Sequence, residues 1–230
     1  MAWVAFATLT ALELVLGIDN IIFIAILVER LPPRQAARAR RIGLALAMLL
    51  RIGMLGLLSW MAGLTAPLFA LFGNEISGRD IVLIGGGLFL LWKSTVEIHG
   101  SMQGEAGHRA PPARASFAGV IAQVALIDVV FSLDSIITAI GMVDELAIMV
   151  AAVVTAVALM MAFSGPVARF IAHNPTLKML ALTFLVVVGV VLIADGFDFH
   201  VPKGYVYFSM AFAFAVELLN MRARRARGPR

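Results

Sequence analysis

Two groups of acidic and polar residues share one spacing in apolar parts of this 230-residue chain. Each group has an acid, an aspartate six residues later, a small amide or hydroxyl directly after that aspartate, and then two isoleucines. The members are Glu13, Asp19 and Asn20 in the first group and Asp128, Asp134 and Ser135 in the second. Two acids and a polar residue rarely recur at one spacing by chance, so the pattern indicates an internal repeat.

These residue types could bind a hard divalent cation. An ionised aspartate at the centre of a membrane helix costs roughly 2.5–3.5 kcal/mol on insertion scales. Four acids at that depth therefore need protons, basic partners or a bound metal. Carboxylate, amide and hydroxyl oxygens suit Mg²⁺, Ca²⁺ and Mn²⁺. The chain has no cysteine, its four histidines lie outside both groups and its twelve methionines are scattered, which argues against zinc or copper.

Further polar residues in apolar stretches form a candidate supporting network. These residues are Arg51, Lys93, Glu97, Asp195, Glu217 and Asn220. Arg51 either lies beside the bound ion or only balances an acid, and the sequence leaves both roles open. Glu97 follows Lys93 by one helical turn, so we predict a local ion pair between them.

The two acids of each group must point in different directions on an uninterrupted helix. Positions six apart differ by about 240° around the helix axis, whereas Glu13 and Asn20 share one face. Gly17 and Ser132 lie between the acids of the two groups, so we predict a break or bend there that lets both acids reach one cavity. A continuous helix over residues 10–26 would contradict this prediction. As an alternative, Asn20 and Ser135 only form hydrogen bonds between helices.

The composition indicates that the bilayer is the solvent for most of the chain. Hydrophobic residues make up 61% and charged residues only 14%, against about 25% charged residues in soluble domains. We predict an all-α polytopic membrane protein with seven transmembrane helices in one transmembrane domain, residues 1–230, and no soluble domain. The predicted spans are residues 2–28, 42–72, 80–99, 116–142, 146–171, 177–195 and 204–221.

Basic residues concentrate in alternate loops and in the tail. The first, third and fifth loops and the tail are basic, which predicts an N-terminus outside and a C-terminus in the cytoplasm. Three spans in each half make the halves enter the membrane from opposite sides. We therefore predict two inverted three-helix repeats, residues 2–99 and 116–195, and a seventh helix at 204–221. The net charge is +4, and the basic residues lie mostly at predicted helix ends. We therefore expect contact with lipid and no nucleic-acid partner.

Three consecutive glycines, Gly85, Gly86 and Gly87, lie within the third predicted span. A phosphate-binding loop would be followed by Lys-Ser/Thr, which is absent here. We predict that these glycines allow close helix packing.

An enzyme is the main alternative of another class. Asp19 and Asp134 could form the dyad of an intramembrane aspartyl protease, sharing one proton. Such enzymes carry Tyr-Asp and Gly-x-Gly-Asp signatures, whereas Asp19 follows Gly-Ile and Asp134 follows Ser-Leu. A dyad would also leave Glu13 and Asp128 unexplained. We therefore predict that the protein is not an enzyme.

Four segments resemble the TerC family of integral membrane proteins. They are residues 13–26, 128–140, 86–99 and 194–220. The last segment is the most specific, with His-x-Pro-Lys-Gly-Tyr followed by Val-Glu-x-x-Asn. The resemblance covers the chain from the first span to Asn220 and is to the short, membrane-only form.

The resemblance implies a seven-span fold of the LysE-like superfamily and a role in metal transport. Members are named for tellurium resistance, and several are linked to Mn²⁺ export and to supplying metal to secreted enzymes. The motif acids of the family match Glu13, Asp19, Asp128 and Asp134, so we expect export of Mn²⁺, with Ca²⁺ as the alternative, in exchange for protons. An accessory role that supplies metal to a secreted enzyme, or tellurium resistance without bulk transport, remains open. We expect a bacterial inner-membrane protein with no cofactor, and a homo-oligomer or a secreted metalloenzyme as a candidate partner.

Overall fold

Helices make up most of the chain. The computed structural model describes residues 2–29, 31–57, 66–71, 74–103, 116–140 and 145–226. The helices in these residues are α1 Ala2–Val28, α2 Pro33–Gly56, α3 Gly78–Gln103, α4 Phe117–Ile140, α5 Leu146–Ala172, α6 Pro175–Gly196 and α7 Lys203–Ala226. Two short strands, β1 Pro67–Leu71 and β2 Asn74–Ser77, lie between α2 and α3.

Local chemistry explains where several helices begin. Prolines open α2 and α6, because a first-turn residue needs no intrahelical N–H donor and proline already has a helical φ. α3 begins with a reciprocal cap between Ser77 and Asp80. The Ser77 N–H donates to Asp80 Oδ2 at 2.9 Å, and the Asp80 N–H donates to Ser77 Oγ at 3.3 Å. The two bonds pair backbone donors that would otherwise lack partners at this helix end.

The second predicted span, residues 42–72, is wrong at its C-terminal end, and residues 58–65 of this span lie outside the described residues. α2 begins earlier, at Pro33, and ends at Gly56, while residues 67–71 form a strand. This strand pairs antiparallel with residues 74–77, and Leu71 lies opposite Asn74. Proline has no N–H for a helix interior, so Pro67 favours a change of structure there. In the described residues the fold is therefore helical with a short two-stranded antiparallel sheet rather than strictly all-α.

The remaining helices agree with the predicted spans to within a few residues, except where α3 and α7 run on at their C-terminal ends. Four helical segments among the described residues are long and apolar enough to cross a membrane: Gly78–Met102, Leu146–Ala172, Pro175–Gly196 and Gly204–Ala223. Large apolar side chains on their surfaces are exposed, including Trp92 at 62% and Phe208 at 72%. Such surfaces suit contact with lipid chains and not with water. The chain is thus a polytopic helical membrane protein.

The most extensive helix contacts join α3 to α6 and α1 to α5. α2 packs on α4 and α5, a smaller contact joins α1 to α4, and α7 packs on α6. Glycine permits the closest approach of α3 and α6, since a Cβ at Gly87 would lie 2.6 Å from the carbonyl oxygen of Gly189. A Cβ at Gly86 would collide with Val130 of α4, whereas one at Gly85 would meet nothing within 4 Å. Close packing is confirmed for the second and third glycines of the triplet.

Candidate functional site

A buried polar cluster lies where α1, α2 and α4 meet, and Arg51 of α2 is at its centre. The guanidinium forms an ion pair with Glu13 of α1 through Nη1. Its Nη2 lies 3.0 Å from Asp128 Oδ1 of α4, and its Nε donates to Ser132 Oγ at 2.9 Å. The Arg51 guanidinium therefore connects three helices. It also brings together two acids, one from each half of the chain.

Two further hydrogen bonds complete the cluster around Asp128. Asn20 Nδ2 of α1 donates to Asp128 Oδ1 at 2.8 Å, and Ser132 Oγ donates to Asp128 Oδ2 at 3.3 Å. The Asp128 carboxylate thus accepts from an amide, a guanidinium and a hydroxyl. We call these five residues, Glu13, Asn20, Arg51, Asp128 and Ser132, the Arg51 cluster.

Helix periodicity explains which residues of α1 and α4 enter the cluster. Glu13 and Asn20 are seven positions apart, which returns them to nearly the same direction after two turns. Asp128 and Ser132 are one turn apart, so both face α2. Each helix therefore presents an acid and a neutral polar group to the Arg51 cluster without any change of direction.

Every member of the Arg51 cluster is buried. Arg51 and Asp128 are each 2% exposed, Ser132 is 0% exposed, and Glu13 and Asn20 are each 6% exposed. Removing charges from water is expensive unless each finds a partner. Two carboxylates face one guanidinium here, so the cluster carries an excess negative charge when both acids are ionised. This excess of negative charge favours the binding of an additional proton or cation.

A small cavity adjoins the cluster. Asn20, Arg51 and Asp128 form its polar wall, and apolar side chains of α1, α2, α4 and α5, including Met160, form the rest. The polar wall can pair with a small charged species, and the apolar surroundings strengthen that electrostatic interaction because they lower the local dielectric constant.

The predicted breaks at Gly17 and Ser132 are wrong. α1 is helical from Ala2 to Val28 and α4 from Phe117 to Ile140, without interruption at either position. Gly17 is instead a packing position, because a Cβ there would collide with the Met160 sulfur of α5. Ser132 accepts the Arg51 Nε–H. The spacing suggested a bend because it takes no account of partners on a third helix.

The structure describes only part of the predicted metal site. Glu13, Asn20 and Asp128 come together, and they do so through Arg51. The backbone of Asp19, Asp134 and Ser135 lies within α1 and α4, but their side chains lie outside the described residues. No group of three or more His, Cys, Asp or Glu side chains that could hold a metal occurs within the described part of the chain.

The supporting residues lie in several places. Lys93 Nζ is 3.4 Å from Glu97 Oε1 along α3, so the predicted local pair is confirmed. Asp195 Oδ1 accepts from the Val201 N–H at 3.4 Å and lies 3.8 Å from His200 Nδ1, which ties down the chain after α6. Glu217 and Asn220 lie on α7, which packs on α6. Of the six supporting residues, Arg51 alone belongs to the Arg51 cluster.

Sequence reasoning assigned no binding role to Ser132. The one-turn spacing from Asp128 could have revealed a polar pair on one face of α4. Nothing in the sequence identifies Arg51 as the partner of that pair, since 81 positions separate Arg51 from Ser132.

Comparison with known proteins agrees with the membrane architecture. The profile of the family described as integral membrane protein TerC family matches residues 1–229. The chain belongs to the TerC family. This TerC protein is 53% identical over 220 residues to the UPF0053 inner membrane protein YgdQ of Escherichia coli, covering 96% of this chain and 92% of that protein. A UPF0053 protein of Haemophilus influenzae is 53% identical over 225 residues, covering 97% and 95%.

A longer relative shows that the TerC region also occurs within larger chains. The UPF0053 inner membrane protein YoaE of Escherichia coli is 47% identical over 226 residues, which is 97% of this chain but 43% of that protein. No solved structure matches the chain significantly. The apolar helices and the relatives' names agree on an integral protein of the inner membrane.

Proposed function

We propose that this TerC protein exports a divalent cation, Mn²⁺ with Ca²⁺ as the alternative, from the cytoplasm. The observation that supports it most is the Arg51 cluster. The first acids of both repeated motifs, Glu13 and Asp128, converge in the buried interior on a single positive charge. A buried site with more carboxylates than cations favours binding of a further cation.

Arg51 acts in this proposal as an internal counter-ion. Its guanidinium contacts both Glu13 and Asp128 and balances one of their two negative charges while no metal is bound, and a proton on one carboxylate balances the other. Asp19 and Asp134 follow them by six residues on the same helices and serve as the chief metal ligands, with Asn20 and Ser135 as neutral oxygen ligands. Six positions on an uninterrupted helix correspond to about 240° around its axis, so Glu13 and Asp128 do not share a helix face with Asp19 and Asp134. In this proposal Glu13 and Asp128 take up protons when the ion leaves, which gives exchange for H⁺.

The helix contacts support an inverted repeat with the site at its interface. In the predicted repeat, α1 is equivalent to α4, α2 to α5 and α3 to α6. A two-fold axis that exchanges these helices makes the α1–α5 contact equivalent to the α4–α2 contact. Each of the α3–α6, α2–α5 and α1–α4 contacts joins two equivalent helices, so the same axis maps it onto itself. All five contacts occur, which is the pattern that a two-fold relation between the halves gives, whereas the smaller α1–α2 and α5–α6 contacts have no counterpart of similar extent among the described residues. The ion then binds between α1 and α4, while α7 lies outside the repeats.

Cellular metal content tests the proposal. Overproduction should lower cell-associated Mn²⁺, measured by inductively coupled plasma mass spectrometry, and should protect cells from Mn²⁺ stress. Asp19→Asn and Asp134→Asn should each abolish both effects, because each removes an anionic ligand while keeping the side-chain size. Asp198→Asn is the matched control, since Asp198 is exposed, follows α6 and has a φ of 61° that asparagine tolerates.

Two outcomes would contradict export. One is an unchanged Mn²⁺ content together with wild-type behaviour of both aspartate variants. The other is an unchanged Mn²⁺ content with loss of metal from a secreted metalloenzyme when the gene is deleted, which supports the accessory role. Resistance to tellurite without any metal phenotype would favour a tellurium-specific role.

A further inference from the structure

Two arginines from different helices converge beside Gly165. The Nη2 of Arg40 on α2 and the Nη1 of Arg169 on α5 lie 3.3 Å and 3.8 Å from the point where a Cβ on Gly165 would be. Glycine leaves this space free of a side chain, so both guanidinium groups approach the same point. We call these two residues the Arg40–Arg169 pair.

The pair has no anionic partner among the residues that the structure describes. The Nε of Arg40 is buried and makes no hydrogen bond to any described group. Glu29, an acid at the same end of the bundle, is already paired, with its Oε2 2.6 Å from Lys178 Nζ. The two adjacent positive charges repel each other, and the buried Nε–H of Arg40 adds the cost of an unsatisfied donor, so an anion that approaches the pair is favoured.

The charge environment of Arg40 agrees with this geometry. Arg40 precedes the second predicted span. Burial, and then the neighbouring charges of Arg169 and Arg41, lower the pKa of Arg40 from its ordinary value. An anion placed between Arg40 and Arg169 would offset the repulsion between their positive charges.

Phosphate is the anion that fits two guanidinium groups. Each guanidinium presents parallel N–H donors that match two phosphate oxygens. The nearby Ser164 hydroxyl donates to the Met161 carbonyl oxygen at 3.0 Å, so it serves its own helix. Recognition therefore depends on the two arginines.

The surroundings favour a lipid over a free anion as the source of that phosphate. Large apolar side chains within two positions of Arg40, Gly165 or Arg169 along the chain are exposed: Phe163 at 60% and Phe170 at 40% on α5, and Ile42 at 46% on α2. A lipid can place its headgroup on the arginines and its acyl chains along these side chains, whereas inorganic phosphate makes no use of them. We propose that the Arg40–Arg169 pair binds the phosphate of an anionic phospholipid and so connects α2 to α5.

Such a lipid would have a consequence for the interior. Arg40 and Arg51 lie about three turns apart on α2. A lipid that holds the start of α2 against α5 also holds the helix that carries Arg51. The binding itself does not depend on the identity, or the existence, of a transported ion.

Thermal unfolding of the full chain in a neutral detergent tests the proposal. The probes are phosphatidylglycerol, phosphatidylcholine and inorganic phosphate, and native mass spectrometry counts retained lipid. Phosphatidylglycerol should raise the Tm of the wild type more than phosphatidylcholine does, and inorganic phosphate should have little effect. Arg40→Gln and Arg169→Gln should each weaken phosphatidylglycerol binding about tenfold, because each removes one charge-assisted fork. Arg34→Gln is the matched control, since Arg34 is an exposed arginine at the start of the same helix.

The variants and probes distinguish a defined lipid site from diffuse attraction by basic residues. An equal effect of Arg34→Gln would mean diffuse attraction by the basic face and would overturn the proposal. Protection by inorganic phosphate equal to that by phosphatidylglycerol would overturn the lipid as the source. If Arg40→Gln does not fold, Arg169→Gln gives the same test, because the Arg169 side chain is exposed. Retained phosphatidylglycerol on that variant, at wild-type level, would also contradict the proposal. A loss of Mn²⁺ export with normal lipid binding concerns the proposed function alone.

Discussion

At the scale of residues, the interior of this TerC protein depends on one guanidinium. Arg51 contacts Glu13, Asp128 and Ser132, and the two acids belong to different halves of the chain. An exposed ion pair would contribute little to stability. A buried one differs because removing one partner leaves uncompensated charge away from water. We therefore expect Arg51 to stabilise the fold, in addition to its proposed role as an internal counter-ion.

Arg51→Met should lower stability sharply. It leaves Glu13 and Asp128 buried without their cation, which costs about 3–5 kcal/mol for a broken buried pair. Thermal unfolding in detergent, followed by the fluorescence of the three tryptophans, measures the effect. Combining Arg51→Met with Asp128→Asn should recover part of the loss, because the second change removes one stranded charge. An exposed-arginine control, Arg222→Gln, should leave Tm unchanged, and a wild-type Tm for Arg51→Met would refute a stabilising role.

At the scale of elements, helix packing depends on glycines at a few crossing points. α3 and α6 approach most closely at Gly87 and Gly189, each near the carbonyl oxygen of the other. Lipid chains are as apolar as leucine, so the hydrophobic effect does little to hold membrane helices together. Close backbone contact supplies the dispersion energy in its place.

Gly87→Ala should destabilise the α3–α6 contact by about 1–3 kcal/mol, as overpacking commonly does. The added Cβ would meet backbone, the carbonyl oxygen of Gly189 at 2.6 Å, which cannot move as a flexible side chain can. Gly85→Ala is the matched control on the same helix. Its Cβ would meet nothing within 4 Å, and alanine is the better helix former, so Tm should stay equal or rise. Equal Tm values for the two variants in a thermal melt would count against the packing role.

At the scale of the whole molecule, the two halves interlock rather than lie side by side. α1 packs on α5 and α2 packs on α4, so each half supplies neighbours to the other. Arg51 and the Arg40–Arg169 pair are both placed at contacts between the halves. An inverted arrangement of the halves requires that equivalent loops face opposite sides of the membrane.

Cysteine labelling tests the orientation, because the chain has no native cysteine. The basic loops predict that position 145 faces outside and position 174 faces the cytoplasm. In whole cells, a membrane-impermeant maleimide should label Glu145→Cys, whereas Asn174→Cys should react only after permeabilisation. Both positions flank helices in the described structure, Glu145 before α5 and Asn174 before α6. The reverse labelling pattern would mean that the protein has the opposite topology.

Local chemistry made part of this protein predictable from sequence. Apolar length determined the helices and their membrane setting, and the one-turn spacing determined the Lys93–Glu97 pair. The spacing of the repeated acids identified Glu13 and Asp128 as residues of the interior. Local pattern was insufficient at Pro67, where the same apolar residues suit a strand as well as a helix.

Only the tertiary structure decided which residues meet across helices. The sequence places Arg51 in an apolar stretch and leaves its role open, whereas the structure puts it between Glu13 and Asp128. It also replaces the predicted break at Gly17 by a continuous helix packed on Met160. The reason is physical: lipid-facing and protein-facing sides of a membrane helix are both apolar, so periodicity does not show which faces pack together. Contacts between residues far apart in the chain depend on how the helices cross.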